Sequence, residues 1–246
     1  MITVISALAA FVLLGFSVSK VSNAKCSGLD VEMLGDPLIR FVTAEDIRQH
    51  IEEDYGHIQG KAVTDIDLQA IEMDLSDLPH IDRVEVYRTI DHRVQVKAEQ
   101  RVPLFRWVDR SGINGYVDSK GDFLQLSKAY VHPCIPVTGD FGFSSFPDDN
   151  MDEAHILSSV RPMMEFISAD GFWSAQILQL DVQEDGELVM IPRVGNHEIV
   201  MGSPEGYEEK FKKLKAFYEE GITQTNWNLY RRLDLRFEDQ VVCTRR

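Results

Sequence analysis

The chain has 246 residues, enough for one or two domains with a sizeable core. Hydrophobic residues make up 44% and charged residues 26%, a balance that folds rather than stays disordered. The formal net charge is −15 and no Lys/Arg run occurs, which argues against nucleic acid and against a polybasic membrane patch.

The N-terminal stretch MITVISALAAFVLLGFSVS runs 19 residues without a charge, and the first charged side chain is Lys20. As a helix, that length just spans a bilayer core. Ser22, Asn23 and Ala24 form a small-x-small triplet that a signal peptidase could use. A cleaved signal usually has an apolar region of about 7–15 residues with basic residues ahead of it. Here the run is longer and nothing basic precedes it, so the preferred reading is an uncleaved anchor that meets the membrane through residues 2–19. The remaining work then falls to residues 25–246. The three cysteines, Cys26, Cys134 and Cys243, are odd in number and form no C-x-x-C. They read as buried or incidental thiols, without a zinc site or disulfide framework.

Residues 29–101 form a first unit. LDVEML (29–34) is a short strand. Thr43 with Asp46 three residues on marks a helix start, and Ile47, Ile51 and Tyr55 give that helix one apolar face. A second helix starts near Asp67, carries Leu68, Ile71, Leu75 and Leu78 on one side, and stops at Pro79. DRVEVY and HRVQVKAE alternate as two strands joined by a turn around Ile90–Asp91. The order is β-α-α-β-β, with both helices expected on one face of a small sheet.

From Arg101 and Pro103 onward the texture changes. LFRWV, GYVD and DFLQLS are short strands punctuated by Gly112, Gly115 and Gly121. HPCIPVTGDFGFSSFPDDN reads as a loop. A helix is expected over 151–169, then strands QILQLDV, ELVMIPRV and HEIVMG, then a second helix over 205–220 stopped by Gly221. In LDLRFEDQVVC (233–243), Leu233, Leu235 and Phe237 alternate with Asp234, Arg236 and Glu238, which predicts one terminal edge strand. Leu233, Leu235 and Phe237 would face the core, while Arg236 and Glu238 would point the other way. The expected fold class is α+β: an N-terminal transmembrane helix, a β-α-α-β-β domain, then a mostly antiparallel β domain with two helices.

Catalytic signals are absent from the sequence. The histidines stand singly, with no H-E-x-x-H or H-x-x-x-H pair and no G-x-S-x-G elbow. Ser144 and Ser145 sit in a Gly/aromatic loop with no base tied to them. No cofactor, metal or small-molecule substrate is expected. An anchored periplasmic hydrolase would need a convergent pocket with a nucleophile–base pair. An outer-membrane assembly protein would need repeats and a long barrel, for which 246 residues leave no room.

The stretch GKAVTDIDLQAIEMDLSDLPHIDRVEVYRTIDHRVQVKAEQRVPLFRWVD, followed by GYVDSKGDFL, resembles the bacterial cell-division family FtsQ/DivIB. It has a G-x-x-x-x-x-I-D start, a Leu-Pro end to the second helix, and Glu99, Arg101 and Pro103 as an E-x-R-x-P element. KFKKLKAFYEEG and YRRLDLRFEDQVVC resemble the family's closing helix and strand. Two features depart from it: GDPLIRFV lengthens the link before the first helix, and His80 replaces an aromatic after the Leu-Pro. The resemblance implies an anchor over 1–24, a POTRA domain over 25–102 and a β domain over 103–246. It implies a non-enzymatic divisome scaffold in the inner membrane, at the septum, with its C-terminal domain in the periplasm. Its partners would be FtsB and FtsL, and its last strand would pair with FtsB. By match to DLRF, the contact region would hold Arg236, Phe237 and Glu238, with Gln240, Val241 and Val242 as the pairing edge.

Overall fold

A computed structural model describes residues 24–147, 155–221 and 227–246. The expected anchor over 2–19 lies outside these residues. Among the described residues no helix is long and apolar enough to cross a membrane. The chain divides into two compact units, one ending at Arg101 and one starting at Val102.

The first unit runs β1 (Gly28–Leu34), α1 (Ala44–Tyr55), α2 (Leu68–Ser76), β2 (Ile81–Arg88) and β3 (Arg93–Gln100). Its sheet order is β1-β3-β2, with β1 parallel and β2 antiparallel to the central strand. Strand alternation turns Val94, Val96 and Ala98 of β3 inward, where they join Ile47 and Ile51 of α1 and Ile71 and Leu75 of α2 in one core. The capping box at Thr43 is present in full: Thr43 Oγ1 accepts from the Asp46 amide, and the Asp46 carboxylate accepts from the Thr43 amide. The Thr43 hydroxyl and amide hold the Asp46 carboxyl below its usual range. Asp67 caps α2 through the Ala70 amide at 3.0 Å.

The lengthened link before α1 is pinned to this unit. Gln100 is buried and bonds it twice, donating to the Ile39 carbonyl at 2.9 Å and accepting from the Val42 amide at 2.8 Å. Phe41 stacks on His80 with ring centroids 4.7 Å apart. The imidazole at the departing position therefore still acts as a flat packing partner.

The second unit holds β4 (Pro103–Asp109), β5 (Asn114–Asp118), β6 (Phe123–Leu124), β7 (Pro136–Gly139), α3 (Ile156–Ala169), α4 (Gly171–Gln176), β8 (Ile177–Val182), β9 (Leu188–Pro192), β10 (Glu198–Gly202), α5 (Tyr207–Ala216), β11 (Tyr230–Asp234) and β12 (Val242–Arg245). A π-helical turn, Phe217–Gly221, extends α5. One nine-stranded sheet has the order β12-β11-β10-β9-β8-β7-β4-β5-β6. The β4–β7, β7–β8 and β10–β11 pairs are parallel and the other five antiparallel. The helices bury Leu157, Val160, Met163, Met164 and Ile167 of α3, Trp173 of α4, and Phe211 and Leu214 of α5 in one core with strand residues.

Three expectations need correction. The domain has three helices rather than two among the described residues, because Asp170 ends α3 and caps α4, accepting from the Phe172 and Trp173 amides. The stretch expected to be a loop contains β7, a strand too short for alternation to reveal. It joins β4 to β8 at the middle of the sheet. After it, Phe141, Phe143 and Phe146 surround the Trp107 ring at 5.0–6.5 Å, so the Gly/aromatic segment completes the core. Finally, 233–243 is not one strand. It is the end of β11, a turn, and the start of β12.

Thr43→Ala should cost about 1 kcal/mol of stability through the lost cap, read as a lower urea midpoint. Gly139→Val should cost about 1–3 kcal/mol by overpacking. A Cβ at that position would stand 2.9 Å from the Val182 Cβ and 3.0 Å from its carbonyl oxygen.

Candidate partner-binding edge

β11 enters the sheet between two different neighbours. It runs parallel to β10, with Ile199 opposite Leu233 and Val200 opposite Asp234. It runs antiparallel to β12, with Leu233 opposite Cys243 and Asp234 opposite Val242. Two backbone bonds set which groups point where. The Leu235 amide donates to the Val200 carbonyl at 2.9 Å, so Leu235 and Leu233 turn their backbone toward β10. The Arg246 amide donates to the Leu229 carbonyl at 3.2 Å. Strand alternation from both ends then aims the Val242 and Thr244 backbone at β11 and the Cys243 and Arg245 backbone outward. Among the described residues no strand pairs with that outer side.

The side chains follow the same alternation. Leu233 and Leu235 are buried in the core and Cys243 packs beside them. Asp234 is buried on the reverse face, where Val200 and Val189 are also buried. Burial pushes the Cys243 thiol up, which keeps it neutral.

The turn between the strands holds most of the residues expected at the contact. Asp239 takes a left-handed conformation, φ 52°, and reverses the chain. Phe237 was expected in the core with Leu233 and Leu235. It instead leaves the strand and is 45% exposed, because β11 ends at Asp234. Glu238 and Gln240 are also exposed, Val241 is half-buried against the core, and Val242 opens β12 at 39% exposure. The edge thus brings together Phe237, Glu238, Gln240, Val241 and Val242 on one turn and strand start.

Arg236 is held within the unit. Its guanidinium donates to Asp234 from Nε at 3.0 Å and from Nη2 at 2.6 Å, and its Nη1 reaches both Glu187 oxygens at 3.0 and 2.9 Å. The Arg236 side chain holds the Asp234 carboxyl below its usual range despite burial. The Arg236 stem lies over Gly202, where a Cβ would meet its Cγ at 2.7 Å. From α5, Lys213 Nζ donates to the Leu235 carbonyl at 3.1 Å and the Phe237 carbonyl at 2.5 Å. These contacts fix the start of the turn and hence where Phe237 is presented. Sequence reasoning passed over Lys213, Glu187 and Arg245. Nothing in their local pattern marks them, because each matters only through residues far along the chain.

A cavity of about 370 Å³ lies elsewhere in this unit, lined by Pro103, Leu104, His132, Cys134, Ile135 and Arg193 among others. Burial pushes the Cys134 thiol up to about 12, which keeps it protonated at neutral pH.

A three-stranded unit with two helices, joined to an open mixed sheet that ends in a hairpin, defines a POTRA-bearing class of protein. A family model described as FtsQ/DivIB, C-terminal related, matches residues 102–244, and a POTRA-like domain model matches residues 24–99. The chain belongs to the FtsQ/DivIB family. It is a cell-division protein of scaffold type, in a family that is non-enzymatic and has divisome proteins as partners. No curated protein matches the chain.

Asp234 contributes stability that is fully present above the ordinary carboxylate pKa of about 3.9 and is lost as pH falls through its lower folded value. Arg236→Ala should remove most of that contribution, leaving the part due to the residue 236 amide and the Arg232 charge, and so flatten the acid limb of the stability curve. At neutral pH it should cost about 1–3 kcal/mol, because a buried carboxylate loses its guanidinium donors and keeps only the amide of residue 236, at 3.1 Å. Arg236→Lys should recover only part of this, since an ammonium cannot reproduce the two-carboxylate fork. Thermal melts between pH 3 and pH 7 would read both effects, with about 4 as the crossover.

Proposed function

We propose that the chain is an inner-membrane divisome scaffold, anchored through residues 2–19, with residues 25–246 in the periplasm at the septum. It links early and late division proteins without catalysis. Its second unit receives FtsB, which comes with FtsL, as a strand added to the outer side of β12. The observation that supports this most is the outer edge, unpaired among the described residues, where the Cys243 and Arg245 backbone groups point away from β11. An uncovered edge invites aggregation unless a partner uses it. Added-strand binding draws affinity from backbone bonds and specificity from alternate side chains. Phe237, Glu238, Gln240, Val241 and Val242 surround the start of that edge, and Arg236 positions the turn. The backbone geometry also selects the informative substitution. The Val242 amide faces β11, so proline there would disturb the hairpin itself. At Cys243 it removes an outward donor.

The test is co-purification of the full chain with co-expressed FtsB and FtsL. Cys243→Pro should lose FtsB while keeping its melting transition, and Cys243→Ser should retain FtsB. Undiminished capture by a folded Cys243→Pro chain would rule out pairing along this edge.

A further inference from the structure

The first unit brings three potential metal ligands together across two helices. His50 and Asp54 are four residues apart on α1, so helical periodicity puts both on one face. Asp74 comes from α2. His50 Nε2 lies 3.0 Å from one Asp74 oxygen and 3.4 Å from one Asp54 oxygen. One ligand atom from each residue lies within 4.8 Å of the other two. A tetrahedral ion with ligand bonds of about 2.0–2.1 Å holds neighbouring donors about 3.3 Å apart. The two imidazole–carboxylate distances bracket that value.

The charge balance of the cluster points the same way. Among the described residues, His50 is the sole ion-pair partner of both Asp54 and Asp74. With the imidazole neutral, the three side chains carry two negative charges. Both carboxylates sit in the last turn of their helices, where the helix dipole disfavours them, and neither last turn contains a basic residue. Lys61 does approach this end of α1, but its ammonium donates to the Tyr55 carbonyl and not to the cluster. A divalent cation would neutralise two carboxylates with one neutral imidazole.

We propose that His50, Asp54 and Asp74 bind a first-row divalent transition-metal ion, with the class represented by Zn²⁺, and that the ion ties the C-terminal ends of α1 and α2 together. One imidazole and two carboxylates suit such an ion better than Ca²⁺, which takes six to eight oxygens. Three protein ligands leave one coordination position to water. The proposal is independent of the edge on β12, since it concerns the other unit.

The probe is Co²⁺ added to the metal-stripped full chain, read by visible absorption and followed by displacement with Zn²⁺. The expected result is a tetrahedral cobalt spectrum that saturates at one equivalent, disappears on adding Zn²⁺ and resists excess Ca²⁺. Zn²⁺ should also raise the melting temperature of the first unit. His50→Gln and Asp74→Asn should each lose both signals while still melting cooperatively in the absence of metal. Asp54→Asn, on the exposed side of α1, provides a third variant least able to disturb folding. Absence of a saturable spectrum, or a spectrum and melting shift that persist in all three variants, would overturn the site.

Discussion

The second unit depends on four residues at its centre, Pro136–Gly139. This short strand runs parallel to β4 on one side and β8 on the other, so it joins β4–β6 to the five strands from β8 onward. The seam is tight. Gly139 lies against Val182 with no room for a Cβ, and Thr138 bonds the Asp181 carboxylate of β8. Asp109 closes the same end of β4. Burial pushes its carboxyl up, but the Ser111 hydroxyl and the Ser111 and Phe141 amides outweigh that and hold it below its usual range. The Phe141 amide bond, 2.7 Å, anchors the aromatic segment that covers Trp107. A sheet divided at this point would leave the β12 edge attached to half a core.

At the far end of the sheet, order is maintained by a different interaction. The outer hairpin has one strand of β12 as its border, and its turn is exposed. Arg236 ties that turn to Glu187 on the β8–β9 side and to Asp234 on β11, while Lys213 ties it to α5. The ion pairs cross a partly buried face, where a carboxylate without donors is costly. A strand-adding surface must present its backbone in a fixed register, because a one-residue slip exchanges every side chain between faces. The Arg236 fork serves that requirement better than hydrophobic packing, which is not directional.

The first unit was legible because its signals are local. The Thr43–Asp46 box, the Asp67 cap and the 3.6-residue spacing of Ile47, Ile51 and Tyr55 each act within one or two turns. The alternation in β2 and β3 survives because one face meets the helices and the other does not. The second unit was harder. β7 has four residues, too few for a period, and β6 keeps only two of the six residues that DFLQLS offered as a strand. The terminal hairpin misled for a related reason: Phe237 continues the period of Leu233 and Leu235 along the sequence, but the backbone has already left the sheet.

Composition, caps and periodicity by themselves determined the β-α-α-β-β unit, the helix faces and the presence of a sticky terminal segment. These follow from short-range geometry, in which each residue's role depends on neighbours three or four positions away or on its own parity. Only the tertiary structure decided which strand forms the edge, which of its amides point outward, and that Arg236 grips Glu187 forty-nine positions away. It also decided that Asp74 meets His50 and Asp54, a meeting that helix spacing alone could prepare for only two of the three. Pairing and ion contacts of this kind are set by how elements pack, and a chain read in order carries no local mark of them.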